Sequence, residues 1–163
     1  MKKLSYIVFA FYLLIGPAIA LYAYDTPLKF RRQAHLSKSV LVPTPAHKVN
    51  TTKPKAEDHE PKWSKYLATR FNGVAEFKCI DGSRVDVYNA ITAYEVEWAS
   101  KWKESIGQAV LYRCLTGKKG GVILLVGRED EDKELKYIHR CIIACRDCNL
   151  ELIFIDVHTG KRK

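Results

Sequence analysis

The chain lacks proline beyond Pro61, although the preceding residues hold all six prolines of the sequence. Because proline interrupts helices and strands, this absence predicts that regular structure dominates the rest of the chain. Residues 21–58 instead show no sustained apolar period, and their prolines lie among Ser, Thr, Lys and His, which predicts a flexible linker. We therefore expect one folded domain over residues 59–163, large enough for a single small core.

A long hydrophobic run is missing everywhere except near the start of the chain. Two lysines open the sequence, an apolar stretch covers residues 4–15, and a Gly-Pro pair interrupts it before Ala18-Ile19-Ala20. This pattern predicts a secretory signal peptide over residues 1–20, with a mature chain that begins near Leu21 and is exported to the periplasm or secreted. An uncleaved membrane anchor is the alternative, because the apolar stretch extends to Ala23.

An excess of one charge sign is also missing from the predicted domain. The formal net charge is +9, but residues 59–163 carry only +3, from eighteen basic and fifteen acidic residues. The basic excess lies in the tail, where it suits nucleic acid, an anionic membrane surface or a solubilising spacer. The net charge therefore does not by itself indicate a nucleic-acid-binding protein.

Hydrophobic periodicity in the domain predicts an α/β fold. Apolar residues at helical spacing, alternation typical of strands and one continuous apolar run give three helices and five strands. An Asp-Gly pair at residues 81–82 predicts the hairpin turn between the first two strands. The expected order is α-β-β-β-α-β-α-β, a mixed sheet with helices on both faces, over residues 61–71, 74–79, 84–88, 92–98, 100–115, 121–126, 132–146 and 150–156.

Acidic residues recur in the first three predicted strands. Glu76 lies in the first strand, Asp86 in the second, and Glu95 and Glu97 in the third. Because side chains alternate along a strand, Glu95 and Glu97 point to the same face. Two adjacent carboxylates repel one another unless a cation compensates them. The pattern therefore predicts a divalent metal site, and Mg²⁺ prefers such oxygen ligands together with water and phosphate.

The predicted second helix adds polar side chains to the same region. At about 100° per residue, Lys101, Gln108 and Tyr112 fall within roughly 40° of one another, whereas Lys103 lies about 140° from Gln108. We therefore expect Lys101 rather than Lys103 to supply a cation to the site.

These residues resemble the PD-(D/E)XK nuclease superfamily over about residues 62–157. Asp86, within Gly-x-Arg-x-Asp, is similar to the first motif acid, and Glu95 to the second. Gln108 and Tyr112 are similar to the Gln-x-x-x-Tyr element of the exonuclease subgroup typified by RecB. The resemblance implies a restriction-endonuclease-like α-β-β-β-α-β core, here extended by a C-terminal helix and strand.

The resemblance also implies a chemistry. Asp86 and Glu95 would bind Mg²⁺ or Mn²⁺, Glu76 would be the auxiliary acid of some members, and Gln108 and Tyr112 would hold the substrate strand. The expected activity is hydrolysis of DNA, with RNA as the alternative substrate. The motif lysine is replaced by Glu97, so either Glu97 itself or Lys101 would position water. Two other hypotheses stay open: a catalytically inactive module that binds nucleic acid or protein, and a membrane-tethered structural protein.

The five cysteines do not indicate a single arrangement. Cys141, Cys145 and Cys148 share one face of a predicted helix beside apolar residues, which favours buried thiols or a disulfide. Zinc bound with the help of His139 is the alternative. In an oxidising compartment we expect one or two disulfides, with at least one thiol left over because the count is odd.

Overall fold

The structure is a computed structural model that describes residues 52–163. The predicted signal peptide or anchor over residues 1–20, and all but the end of the predicted linker, lie outside the described residues. Within residues 52–163, no helix is both long enough and apolar enough to cross a bilayer.

Five strands form one open sheet in the order in which they occur along the chain. β1 with β2 and β2 with β3 pair antiparallel, whereas β3 with β4 and β4 with β5 pair parallel, so the sheet is mixed as predicted. The strands are β1 (Val74–Lys78), β2 (Arg84–Tyr88), β3 (Thr92–Trp98), β4 (Lys119–Val126) and β5 (Glu151–Asp156).

Three helices cover the two faces of this sheet: α1 (Glu60–Arg70), α2 (Trp102–Thr116) and α3 (Glu131–Asp147). The first helix places Trp63 and Leu67 against one face of the sheet. The other two helices pack on the opposite face, where Ala109 and Cys141 belong to a second apolar cluster. The predicted α/β class, with helices on both faces, is therefore confirmed.

The predicted element boundaries differ most at β4 and at the start of α2. A 3₁₀ turn over Ala99–Lys101 precedes α2, where a continuous helix was expected. β4 begins at Lys119, two residues before the predicted start at residue 121, so Gly120 and Gly121 lie inside the strand. A Cβ atom at Gly120 would lie 2.5 Å from the Ala109 carbonyl oxygen, so this glycine allows the α2 backbone to rest directly on the sheet.

The predicted linker contributes its last residues to the folded domain. The Lys53 ammonium donates to the Val157 carbonyl oxygen over 3.1 Å and lies 5.9 Å from the Trp63 ring centre. Pro54 is buried. The contacts of the domain thus extend into residues that the composition assigned to the linker.

All five cysteines are free thiols, so the expected disulfides are not formed in this structure. Cys141 and Cys145 are buried on α3 with their sulfur atoms 3.9 Å apart, which confirms the interpretation of these two as core thiols. Cys79 follows β1, and Cys114 is exposed on α2. The sequence alone does not show how these two elements lie relative to each other, so it could not show whether these cysteines would pair.

Candidate functional site

The site begins where the pairing between β2 and β3 stops. These strands pair at Tyr88 and Val87, opposite Ala93 and Tyr94. At the next residue, the Asp86 carboxylate accepts a hydrogen bond of 2.8 Å from the backbone amide of Val96. A side chain thus replaces a strand-to-strand hydrogen bond and fixes this carboxylate at the gap in the sheet. Burial raises the pKa of Asp86 to about 7, although the bond from Val96 opposes that rise.

Glu95 and Glu97 lie on β3, whose seven residues are all buried. The alternation predicted from the sequence places both carboxylates on the face of the strand opposite that of Val96. The Oε2 atom of Glu95 is buried and accepts no hydrogen bond within the described residues. Burial and, next in size, the charge of the nearby Asp86 carboxylate together raise the pKa of Glu95 to about 9. Glu95 is therefore a neutral acid at pH 7 unless a cation offsets its charge.

The Glu97 carboxyl group has more hydrogen-bonding and ionic partners than that of Glu95. Its Oε1 atom accepts a hydrogen bond of 2.9 Å from the Trp98 amide and lies 3.6 Å from the Lys101 ammonium. Burial raises the pKa of Glu97 to about 8, with Glu60 adding to the rise and Lys101 opposing it. The Glu97 carboxyl group thus has a pKa only slightly above neutral pH.

The Lys101 ammonium reaches the acidic group from the 3₁₀ turn that precedes α2, not from a position on the helix itself. Besides Glu97, its ammonium contacts Glu60 Oε1 at 3.4 Å. The side chain of Lys103 instead lies over the Trp102 ring at 5.9 Å. Although the two lysines are only two residues apart in sequence, Lys101 makes ion pairs, whereas Lys103 makes none with the acids of residues 52–163.

Glu60 was missed by sequence reasoning. It is the first residue of α1, and its negative charge raises the pKa of Asp86, Glu95 and Glu97. An acid in the first turn of a helix is favoured by the helix dipole, so it signals nothing unusual by itself. Only the packing of α1 against the sheet brings this carboxylate to the site.

Glu76 lies at the margin of the site. The pairs on either side of it, Ala75 with Val87 and Phe77 with Val85, place it opposite Asp86. Its φ of 57° is in the left-handed region, which costs a non-glycine residue about 1–2 kcal/mol. Its carboxylate lies 3.6 Å from Arg84. A strained acid opposite Asp86 is consistent with the auxiliary role, although part of its charge is paired.

Gln108 and Tyr112 contact each other on α2, but they differ in how far they are exposed to solvent. Tyr112 is 3% exposed, belongs to the core and donates its hydroxyl hydrogen to the Arg84 carbonyl oxygen over 2.5 Å. Its oxygen lies 3.1 Å from Gln108 Oε1. The expected substrate contact of Tyr112 is therefore obstructed by packing, whereas the half-buried Gln108 stays accessible.

The donor set suits a cation that needs few protein ligands. Within residues 52–163, no group of three or more His, Cys, Asp or Glu side chains is arranged to hold a metal ion. Asp86 and Glu95 nonetheless adjoin each other, and Glu95 offers an oxygen without a partner. Mg²⁺ commonly binds through one or two carboxylates and keeps its other positions for water and phosphate. The residues present therefore fit Mg²⁺ or Mn²⁺ better than they fit a fully enclosed ion.

Comparison with known proteins returned no relative: no family model, no curated protein and no solved structure matches the chain.

Proposed function

We propose that this protein is a metal-dependent nuclease of the PD-(D/E)XK type that hydrolyses DNA phosphodiester bonds. The observation that carries the proposal is the buried Glu95 carboxyl group, which has an unpartnered oxygen and adjoins Asp86. A buried acid of this kind costs stability, and such a cost is typical of groups retained for catalysis. The order of helices and strands through β4 also agrees with a restriction-endonuclease-like core.

Asp86 and Glu95 would hold Mg²⁺, or Mn²⁺ in its place. When bound, the ion lowers the pKa of water and offsets the charge that develops at phosphorus. The hydrogen bond from the Val96 amide keeps one Asp86 oxygen in place and leaves the other oxygen of that carboxylate for the ion. Glu95 is on the neighbouring strand, so the two acids are held by the sheet and not by a loop.

Glu97 acts on the attacking water, and Lys101 acts on the charge of the phosphoryl oxygens. A carboxylate whose pKa is about 8 is partly ionised near neutral pH, so Glu97 accepts a proton from the attacking water. Lys101, 3.6 Å away, stabilises negative charge on the phosphoryl oxygens, as the lysine of the motif would do. Gln108 donates its amide hydrogens to the substrate strand, and Tyr112 packs beside it in the core with its hydroxyl oxygen 3.1 Å from Gln108 Oε1.

A catalytically inactive binding module is the second candidate, because a glutamate occupies the motif lysine position. In that case the buried acids would be remnants of a catalytic site, and the protein would bind nucleic acid or another protein without cleaving DNA. The two candidates predict different products from the same DNA.

The test is cleavage of linear DNA, circular DNA and RNA by the full-length chain, with Mg²⁺ or Mn²⁺ and with EDTA. We expect metal-dependent cleavage of DNA by the wild type and its loss in Asp86→Ala. Asp132→Ala is the matched control, since Asp132 is exposed on α3. Cleavage retained by Asp86→Ala would show that the site is wrong. Folded protein that binds DNA without cleaving it would establish the inactive module.

We also propose that the protein acts outside the cytoplasm, because of the predicted signal peptide over residues 1–20. N-terminal sequencing of the product from an exporting host should find a start near Leu21. A full-length product in the membrane fraction would support the anchor instead.

A further inference from the structure

A small cleft lies beside the acidic site, at the carboxyl ends of β3 and β4. Its volume is about 140 Å³, and its lining includes Trp98, Lys101, Leu125, Arg128, Glu129 and Glu134. The carboxyl ends of parallel strands are a common location for ligands in open α/β sheets. The volume is below that of pockets for drug-sized ligands, so a small group fits better than a whole base pair.

The two acids of the cleft are already neutralised or hydrogen-bonded. Glu134 accepts hydrogen bonds of 2.8 and 2.9 Å from the Gly127 amide, and Glu129 forms an ion pair of 2.9 Å with Lys133. The Gly127 amide thus engages the Glu134 carboxylate and Lys133 pairs with Glu129, which leaves Arg128 and Lys101 as the cationic groups of the lining.

Arg128 is the cation without an acidic partner. Its guanidinium stacks over the Trp98 ring at 4.6 Å, and it forms no ion pair with the acids of residues 52–163. Stacking on an aromatic ring orients the planar guanidinium and leaves its N–H groups free to donate. Lys101 also lines the cleft and, through its ion pair, connects it to Glu97.

We propose that this cleft binds a backbone phosphate of a nucleic-acid strand, next to the phosphate at the acidic site. Arg128 donates two parallel hydrogen bonds to the phosphate oxygens, a geometry that guanidinium groups favour. Lys101 lies between the two phosphates and contributes charge to both. The inference rests on the proposed nuclease function for its ligand, but it assigns a separate binding subsite and its own residue.

The test is the affinity of full-length protein for a short fluorescent single-stranded oligodeoxynucleotide, measured by anisotropy in EDTA so that no cleavage occurs. Loss of one charge-assisted hydrogen-bonding group should weaken binding about tenfold in Arg128→Ala. The slope of log affinity against log salt should also fall by about 1, as for one lost phosphate contact. Arg140→Ala is the matched control, because Arg140 is exposed on α3 and lies outside the cleft.

Equal affinities of Arg128→Ala and Arg140→Ala would overturn the proposal, as would absence of binding by the wild type. A loss confined to oligonucleotides with a terminal 5′-phosphate would also overturn it, by assigning the cleft to strand ends. The outcome is separable from the nuclease test. Binding that depends on Arg128 without any cleavage would retain the subsite and reject the nuclease, and cleavage without dependence on Arg128 would do the reverse.

Discussion

Replacing Glu95 by glutamine should stabilise the metal-free protein, and the gain should depend on pH. The folded-state pKa of Glu95 is about 9, against an ordinary value of 4.5. Between these values the folded protein retains a proton that the unfolded chain releases, so stability falls as pH rises. At pH 7 the cost of this one carboxyl group is about 3 kcal/mol, taking 1.36 kcal/mol for each unit of pKa.

Glutamine keeps the shape of the side chain and cannot ionise. We therefore expect Glu95→Gln to exceed the wild type by about 3 kcal/mol in free energy of unfolding at pH 7, and by little at pH 4.5. Urea denaturation followed by circular dichroism in EDTA measures both values. Glu57→Gln, at an exposed position before α1, should change neither value.

The result that would refute this reasoning is a difference between Glu95→Gln and the wild type that is the same at both pH values. Such a result would mean that glutamine changes packing alone and that Glu95 is not held protonated. Added Mg²⁺ provides an independent check, because an ion bound at the site should stabilise the wild type and leave the variant unchanged.

Three other changes test separate parts of the structure. Lys101→Ala should lower turnover about 100-fold in the DNA cleavage assay, as expected for a lost electrostatic contact, and an equal loss in Lys103→Ala would contradict the assignment of the cation. Glu76→Gly should raise the free energy of unfolding in urea by about 1 kcal/mol, since glycine adopts a positive φ without strain; destabilisation would show that the strain estimate is wrong. Gly120→Ala should lower the free energy of unfolding by about 1–3 kcal/mol and lower the melting temperature, because the added Cβ atom would press on the Ala109 carbonyl oxygen. An unchanged melting temperature would show that α2 moves away at no cost.

The sequence was sufficient to predict the elements whose periodicity is strong. The predicted bounds of β3, residues 92–98, agree with the structure because its side chains alternate between the two faces. The start of α2 was less accurate, since residues 99–101 form a 3₁₀ turn without a side-chain cap. The start of β4 was predicted two residues late, because a glycine at a strand boundary and one that admits a neighbouring helix look alike in sequence.

The candidate site divides in the same way. Residues related by one element, such as Glu95 with Glu97, were predictable from strand or helix geometry alone. Glu60 and Arg128 were not, because the packing of α1 and the loop after β4 bring them to the site from outside those elements. The sequence likewise does not show that the Tyr112 hydroxyl group is engaged with the Arg84 carbonyl oxygen.

The hydrogen bond from the Val96 amide to the Asp86 carboxylate joins β2 to β3, and its strength depends on the ionisation state of a side chain. A backbone partner in a strand ladder has constant strength, but a carboxylate that gains a proton or binds a cation becomes a weaker acceptor. The amide hydrogen of Val96 should therefore exchange with deuterium at a rate that follows the state of the site, while amides deeper in β3 do not respond. Protonation or cation binding at the site would then change the exchange rate of a backbone amide hydrogen, which nuclear magnetic resonance can measure without substrate.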